Sequence, residues 1–236
     1  MDNSLHTCNI RLSQPENGYR SSMDAFLLAA HVQPEAKEKI IDIGCGCAVI
    51  SIMVAKKSDN LEITGIEIQK TLADYARKNV RNNGLEHCIN IIHKDINKIH
   101  ASDTGGKADI IVSNPPYKKK GSGRINPDHG KAVARHEISL DINQLAQCSA
   151  RLLKTRGRIY VIFPAERICD LFNAMTACKF SITGIRFVHI RKHEPAKRVI
   201  ICAEKNNAGQ CIVMPPLFVF EQKNKYSDEY VSLFKP

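Results

Sequence analysis

The chain has 236 residues, 43% of them hydrophobic and 25% charged. That composition suits one globular domain with a full core and excludes disordered and fibrous classes. No apolar run approaches the ~20 residues of a membrane span, and the opening MDNSLHTCNIRLSQPENG lacks the basic-then-apolar order of a secretory signal. Lysine and arginine outnumber aspartate and glutamate by 34 to 24, for a net charge of +10. Nucleic acid is the first polyanion to consider, with plain solubility charge as the alternative. The nine cysteines contain no CxxC pair and read as reduced thiols of a cytoplasmic protein.

Residues 1–38 read as an N-terminal arm. From there the chain alternates short β-branched runs with helical stretches: a strand at 39–43, a helix at 48–57, a strand at 61–66 and a helix at 70–82. In that second helix Leu72, Tyr75, Ala76 and Val80 share a face. Strands follow at 89–93 and 108–113, then an amphipathic helix at 138–153 and a strand at 158–163, with Pro164 placed to open another helix. Near-continuous apolar strands alternating with helices predict an α/β fold, a mostly parallel sheet covered on both faces. Residues 180–190 and 198–204 change the rhythm and predict an antiparallel hairpin at the sheet edge. The organisation expected is a single domain over 1–236, with a core at 39–205 and a C-terminal tail at 206–236.

The first strand runs through Asp42-Ile43-Gly44-Cys45-Gly46-Cys47-Ala48 straight into a helix. Gly44 and Gly46 permit a tight turn and bring bare backbone near a ligand, while the helix start offers unpaired N–H groups. The dinucleotide fingerprint fails, because its third glycine would fall on Val49. The pattern is closer to DxGxGx-small and resembles the loop of S-adenosylmethionine methyltransferases, in which Asp42 would face the cationic amino acid end of the cofactor. Ala48 stands where that pattern usually has a third glycine. Glu67 ends the second strand, placed to accept from both hydroxyls of a ribose. Asp95, just past the third strand, could accept from an adenine amino group or simply cap the turn at 96–100.

The fourth strand delivers Asn114-Pro115-Pro116-Tyr117. A turn explains one proline but not all four residues. An amino group conjugated to a purine is a poor nucleophile, because its lone pair is delocalised. The Asn114 carboxamide oxygen and the Pro115 carbonyl can each accept one of its N–H bonds, localising the pair. The prolines stiffen the loop, and Tyr117 can stack on an extruded base.

Together these residues resemble the class I S-adenosylmethionine-dependent methyltransferases that modify amide or amino nitrogens. The nearest likeness is the bacterial tRNA1(Val) adenine-37 N6-methyltransferase family. The arm at 18–29, Pro195-Ala196-Lys197-Arg198 and the tail at 226–230 look like features of that family. The resemblance implies a Rossmann-like fold with a seven-stranded sheet, S-adenosylmethionine as cofactor, and methyl transfer to N6 of adenine in tRNA. Its site would comprise Asp42, Gly44, Gly46, Glu67, Asp95 and Asn114 toward the cofactor, and Asn114, Pro115, Pro116 and Tyr117 toward the reacting base. A protein glutamine N5-methyltransferase uses the same tetrapeptide, as do enzymes acting on DNA or ribosomal RNA. A non-catalytic RNA- or S-adenosylmethionine-binding protein of this fold is a further alternative.

Lys118, Lys119, Lys120 and Arg124, with Lys131 and Arg135, follow the tetrapeptide against a single acid, Asp128. They suit phosphate contacts that position a nucleic acid without reading its sequence. Arg186, Arg191, Lys192, Lys197 and Arg198 form a second basic cluster on the late hairpin. Cys45 and Cys47 lack a partner pair, so no metal site is expected. The remaining expectations are a tRNA partner, no membrane, a monomer and a cytoplasmic location.

Overall fold

The computed structural model describes residues 10–15, 23–116, 140–222 and 225–234. The isoleucine-rich segments form β1 (Lys39–Ile43), β2 (Glu62–Glu67), β3 (Ile89–His93) and β4 (Ala108–Ser113), followed by β5 (Leu153–Pro164), β6 (Phe180–His189) and β7 (Ala196–Lys205). In space they run β3-β2-β1-β4-β5-β7-β6, parallel throughout except for β7, which is antiparallel to both neighbours. The late hairpin thus closes one end of the sheet. Two short strands, β8 (Ile212–Val213) and β9 (Leu217–Phe218), both pair with β6, so among the described residues the sheet has nine strands where seven were expected.

Alternation along each strand feeds two cores. Ile40, Ile110, Val112 and Ile162 face one side, where α1 (Met23–His31), α2 (Val49–Ala55) and α3 (Lys70–Asn82) pack. Ile41, Ile43, Ile111 and Val161 face the other, under α4 (Ile142–Leu152) and α5 (Ile168–Ala177). The tail does not stand apart from this body. The β10 (Phe220–Gln222) and β11 (Lys225–Tyr226) hairpin and α6 (Asp228–Ser232) fold back, and Val219, Tyr230 and Phe234 are buried in the α1-side core.

Two helices start later than their apolar pattern suggests, each for a local reason. Ala48 takes a left-handed φ of 64°, so α2 begins only at Val49. Asp141 caps α4 by accepting from Asn143 N–H, and Gln144 returns a bond to the Asp141 N–H, a capping box that sets the start at Ile142. β5 starts earlier than expected, at Leu153, because a register shift accommodates its polar first turn against β4. Among the described residues no helix is long and apolar enough to cross a membrane.

Candidate functional site

Strand register assembles the site. Ile43 pairs with Ile66 of β2 and with Ser113 of β4. One residue further along, Glu67, Gly44 and Asn114 therefore stand at the same level of three neighbouring strands. With strands ~4.8 Å apart, Glu67 and Asn114 leave the sheet about 10 Å from each other. That span suits one nucleoside. The Ser113 hydroxyl donates to the Ile43 carbonyl at 2.9 Å and ties the two central strands together where they diverge.

The glycine loop turns on three left-handed residues, Gly44 (φ 71°), Gly46 (φ 56°) and Ala48 (φ 64°). Gly44 and Cys45 both donate to the Ile66 carbonyl, at 2.9 and 3.1 Å. Gly44 is exposed and a Cβ built there meets nothing within 4 Å, so its backbone faces open space. The Cys45 and Cys47 thiols are buried, and burial raises both, Cys47 to about 11. They are neutral fillers. No cluster of three or more metal-ligating side chains occurs among the described residues.

Glu67 is 5% exposed. Its carboxylate accepts from the Gly46 N–H at 3.0 Å and from the Gln69 N–H at 2.8 Å. Burial raises its pKa, while those backbone N–H groups pull the other way. Ile68, beside it, is one of four large hydrophobics among the described residues left exposed. Asp42 is fully buried beneath the loop and not open to it. Its Oδ2 accepts from the Ser51 hydroxyl of α2 at 2.7 Å, and its Oδ1 has no hydrogen-bond partner among the described residues. Burial pushes its pKa up to about 7, against the opposing bonds from Ser51. Asp95 takes its capping role, accepting at Oδ1 from both the backbone and the side-chain nitrogens of Asn97.

Asn114 is half-buried, Pro115 buried and Pro116 exposed. Tyr117, Lys118, Lys119, Lys120 and Arg124 lie outside the described residues, as do Asp128, Lys131 and Arg135. The hairpin cluster does not form a free basic face. Arg186 is buried between His31 and Glu229. Arg198 donates to Asp24 at 2.9 Å, and Arg191 pairs with Glu194 at 2.9 Å and covers the Phe220 ring. Lys192 and Lys197 remain exposed.

Three contributors carry no signal that the motif reading used. Ser51 holds Asp42. Gly65, in mid-β2, lets the loop lie against the strand: a Cβ there would come within 2.9 Å of the Cys45 sulfur and 2.7 Å of Ile91 Cδ1. A glycine inside a strand is itself the sign of such a close approach. Asn79, buried on α3, donates to the Cys47 carbonyl at 3.0 Å.

The family described as methyltransferase small domain matches residues 22–167. The chain is 32% identical to a tRNA1(Val) (adenine(37)-N6)-methyltransferase of Phocaeicola vulgatus, covering 90% of this chain and 87% of that one. A protein of the same name from Porphyromonas gingivalis is 31% identical over 92% and 88% of the two chains. Among solved structures, a predicted O-methyltransferase from Agrobacterium tumefaciens superposes with a TM-score of 0.71 at 20% identity, covering 89% of this chain and 95% of that one. A methyltransferase from Pyrococcus furiosus gives 0.59 at 17% identity, covering 84% and 90%. The glycine loop, the acidic strand end and the Asn-Pro-Pro turn thus sit on a class I methyltransferase sheet, and the chain belongs to the methyltransferase small domain family.

Proposed function

We propose that the chain transfers the methyl group of S-adenosylmethionine to N6 of an adenine in tRNA, at adenine 37 of tRNA1(Val). The observation that carries this reading is the common level of Glu67, Gly44 and Asn114 at the ends of three adjacent strands. The relatives that bear this activity as their name match nearly the whole chain.

The residues fit a cationic nucleoside donor, which when bound supplies an electrophilic methyl group. Gly44 offers open backbone, Ile68 an apolar surface for a flat ring, and the buried carboxyl groups of Asp42 and Glu67 gain from a nearby positive charge. Glu67 has acceptor capacity left beyond its backbone bonds and takes the ribose hydroxyls. Gly46 belongs to the same cradle, and Asp95 borders it on the β3 side.

The Asn114 carboxamide oxygen and the Pro115 carbonyl would accept the two N–H bonds of the target amine, which leaves its lone pair free to act as the nucleophile. Pro115 and Pro116 hold that geometry before the base arrives, so little reorganisation opposes the transfer. Tyr117 stacks on the base. Lys118, Lys119, Lys120 and Arg124 hold tRNA phosphates. In this reading the chain works as a monomer in the cytoplasm.

The test is incubation with labelled S-adenosylmethionine and tRNA from cells lacking the modification, followed by nucleoside analysis and mapping. Label in N6-methyladenosine at position 37 is expected. Label appearing only on a glutamine of a protein substrate, or on another nucleoside, would overturn the assignment.

A further inference from the structure

Asn79, on the last turn of α3, and Asn83, the C-cap residue of that helix, stand four residues apart, one above the other. Each makes the same pair of bonds to the N-terminal arm. Asn83 Oδ1 accepts from the Arg11 N–H at 3.0 Å and its Nδ2 donates to the Arg11 carbonyl at 2.8 Å. Asn79 Oδ1 accepts from the Ser13 N–H at 2.7 Å and its Nδ2 donates to the Ser13 carbonyl at 2.9 Å. Two side-chain amides thus imitate the backbone of a neighbouring strand.

The spacing explains why this works. Four helical residues rise about 6.0 Å, and two extended residues advance about 6.6 Å. Rungs on alternate arm residues therefore meet asparagines one helical turn apart. Leu12, between the rungs, and Ile10, just before the first, are partly buried and pack against the α1-side core. Pro15, next in register, has no N–H to offer, and the ladder stops. The arm climbs α3 from its C-terminal end toward the start that follows Glu67, so it heads for the ligand edge of the sheet.

Asn83 spends its second Nδ2 bond inside its own helix, on the Asn79 carbonyl at 2.8 Å, whereas Asn79 reaches beyond it. Asn79 is fully buried, and its Nδ2 also donates to the Cys47 carbonyl in the glycine loop at 3.0 Å. One amide therefore joins the arm at Ser13 to the loop at Cys47. Removing the arm would take away two of the three bonds of Asn79 and open it to water, and the amide would be free to turn away from Cys47.

We infer that Asn79 is a positioning residue that couples docking of the N-terminal arm to the shape of the S-adenosylmethionine loop. This rests on the donor assigned above. Coupling between sites is reciprocal in free energy. The docked arm tightens the donor, and the bound donor tightens the arm by the same factor.

The full chain carrying Arg11→Pro and Ser13→Pro loses the two arm N–H donors and keeps Asn79, Asn83 and the loop. Its dissociation constant for S-adenosylmethionine, measured by calorimetry without tRNA, should rise about tenfold, with turnover at saturating donor unchanged. In the wild-type protein, saturating donor should slow hydrogen exchange of the Arg11 and Ser13 amides by a similar factor. An arm that merely adds stability would lower the melting temperature and leave both readouts still. Wild-type donor affinity in the double variant, or exchange at Arg11 and Ser13 indifferent to donor, would overturn the inference. If the double variant fails to fold, the wild-type exchange measurement decides alone. A wild-type protein that binds no S-adenosylmethionine would instead sink the donor assignment beneath it.

Discussion

At the scale of single residues, the site is governed by carboxyl groups whose environment disfavours charge. Asp42 moves from an ordinary value of 3.8 to about 7 because it is fully buried. Its folded pKa lies above its unfolded one, so its contribution to stability is present below pH ~4 and is lost as pH rises through 7, a loss on the order of 4 kcal/mol. Asp42→Asn keeps an oxygen for the Ser51 hydroxyl and removes the charge. Chemical denaturation should show the variant gaining on wild type between about pH 4 and pH 7; parallel stability curves would refute the assignment. A cationic donor favours the ionised carboxylate, so wild-type donor affinity should rise over the same interval, and Asp42→Asn should flatten that rise. Asn114→Ala is expected to behave differently, lowering turnover by ~10²–10³ while leaving donor affinity near wild type. Retained turnover at saturating donor and tRNA would remove Asn114 from the chemistry.

Residue types also set what the sequence could disclose. Gly44, Glu67 and Asn114 could be picked out because each follows or ends a strand in a pattern with a chemical reason, and the register brings them to one level; Asp42 came from the same pattern but lies buried beneath the loop. Asn79 could not be picked out. A polar residue between the apolar positions of α3 reads as solvent-facing, and only the arm, 66 positions away in sequence, makes its burial possible. Arg186 and Arg198 were misleading for the same reason. Their carboxylates, Glu229 and Asp24, lie 43 and 174 positions distant. Two of the five basic residues counted along the chain are therefore spent on carboxylates of distant segments, while Arg191, Lys192 and Lys197 stay exposed.

Among the elements, β1, β3, β4 and α3 have the ends their patterns predict, because runs of isoleucine or a helical face stop abruptly at turn residues. The loop between β1 and α2 is where elements approach most closely. Ala48 occupies a left-handed backbone that costs a non-glycine residue roughly 1–2 kcal/mol. Glycine there relieves that strain but gives up a buried methyl, worth about 0.8 kcal/mol, and costs about 0.5–1 kcal/mol in chain entropy. Ala48→Gly should therefore lie within about 1 kcal/mol of wild type, whereas Ala76→Gly, equally buried but inside α3, has no strain to relieve and should lose clearly more. Equal losses in urea titrations would deny the strain at Ala48. Gly65→Ala presses a methyl on Cys45 and Ile91 and should cost about 1–3 kcal/mol. If the approach of loop to strand is the cause, adding Cys45→Ala should recover part of that loss, and a strictly additive double variant would place the cause elsewhere.

For the whole molecule, the question is where a positive chain meets a polyanion. With Arg186 and Arg198 of the hairpin held by Glu229 and Asp24, the proposed phosphate contacts fall on Lys118, Lys119, Lys120 and Arg124. The Michaelis constant for tRNA should climb steeply with salt, since each neutralised phosphate releases a counterion. Serine at the three lysines should raise that constant and reduce its logarithmic salt slope by about 2, with donor affinity unaltered. A slope equal to wild type would reduce the lysine run to solvated surface charge.

The strand order has a genealogical side. Reading the sheet as β3-β2-β1 and then β4-β5, the residues proposed to cradle the donor come from one unbroken length of chain, and those proposed to meet the acceptor come from the next. The single passage between them, through Gly105 and Gly106, leads into the start of β4, at the opposite end of the sheet from the site, where Lys39 Nζ donates to the Gly105 carbonyl at 2.5 Å. The fold is therefore a sentence with one comma. A gene cut at that comma should yield two halves that recombine along the β1–β4 seam, and an acceptor half borrowed from a cousin could be spliced in without rewriting the donor half.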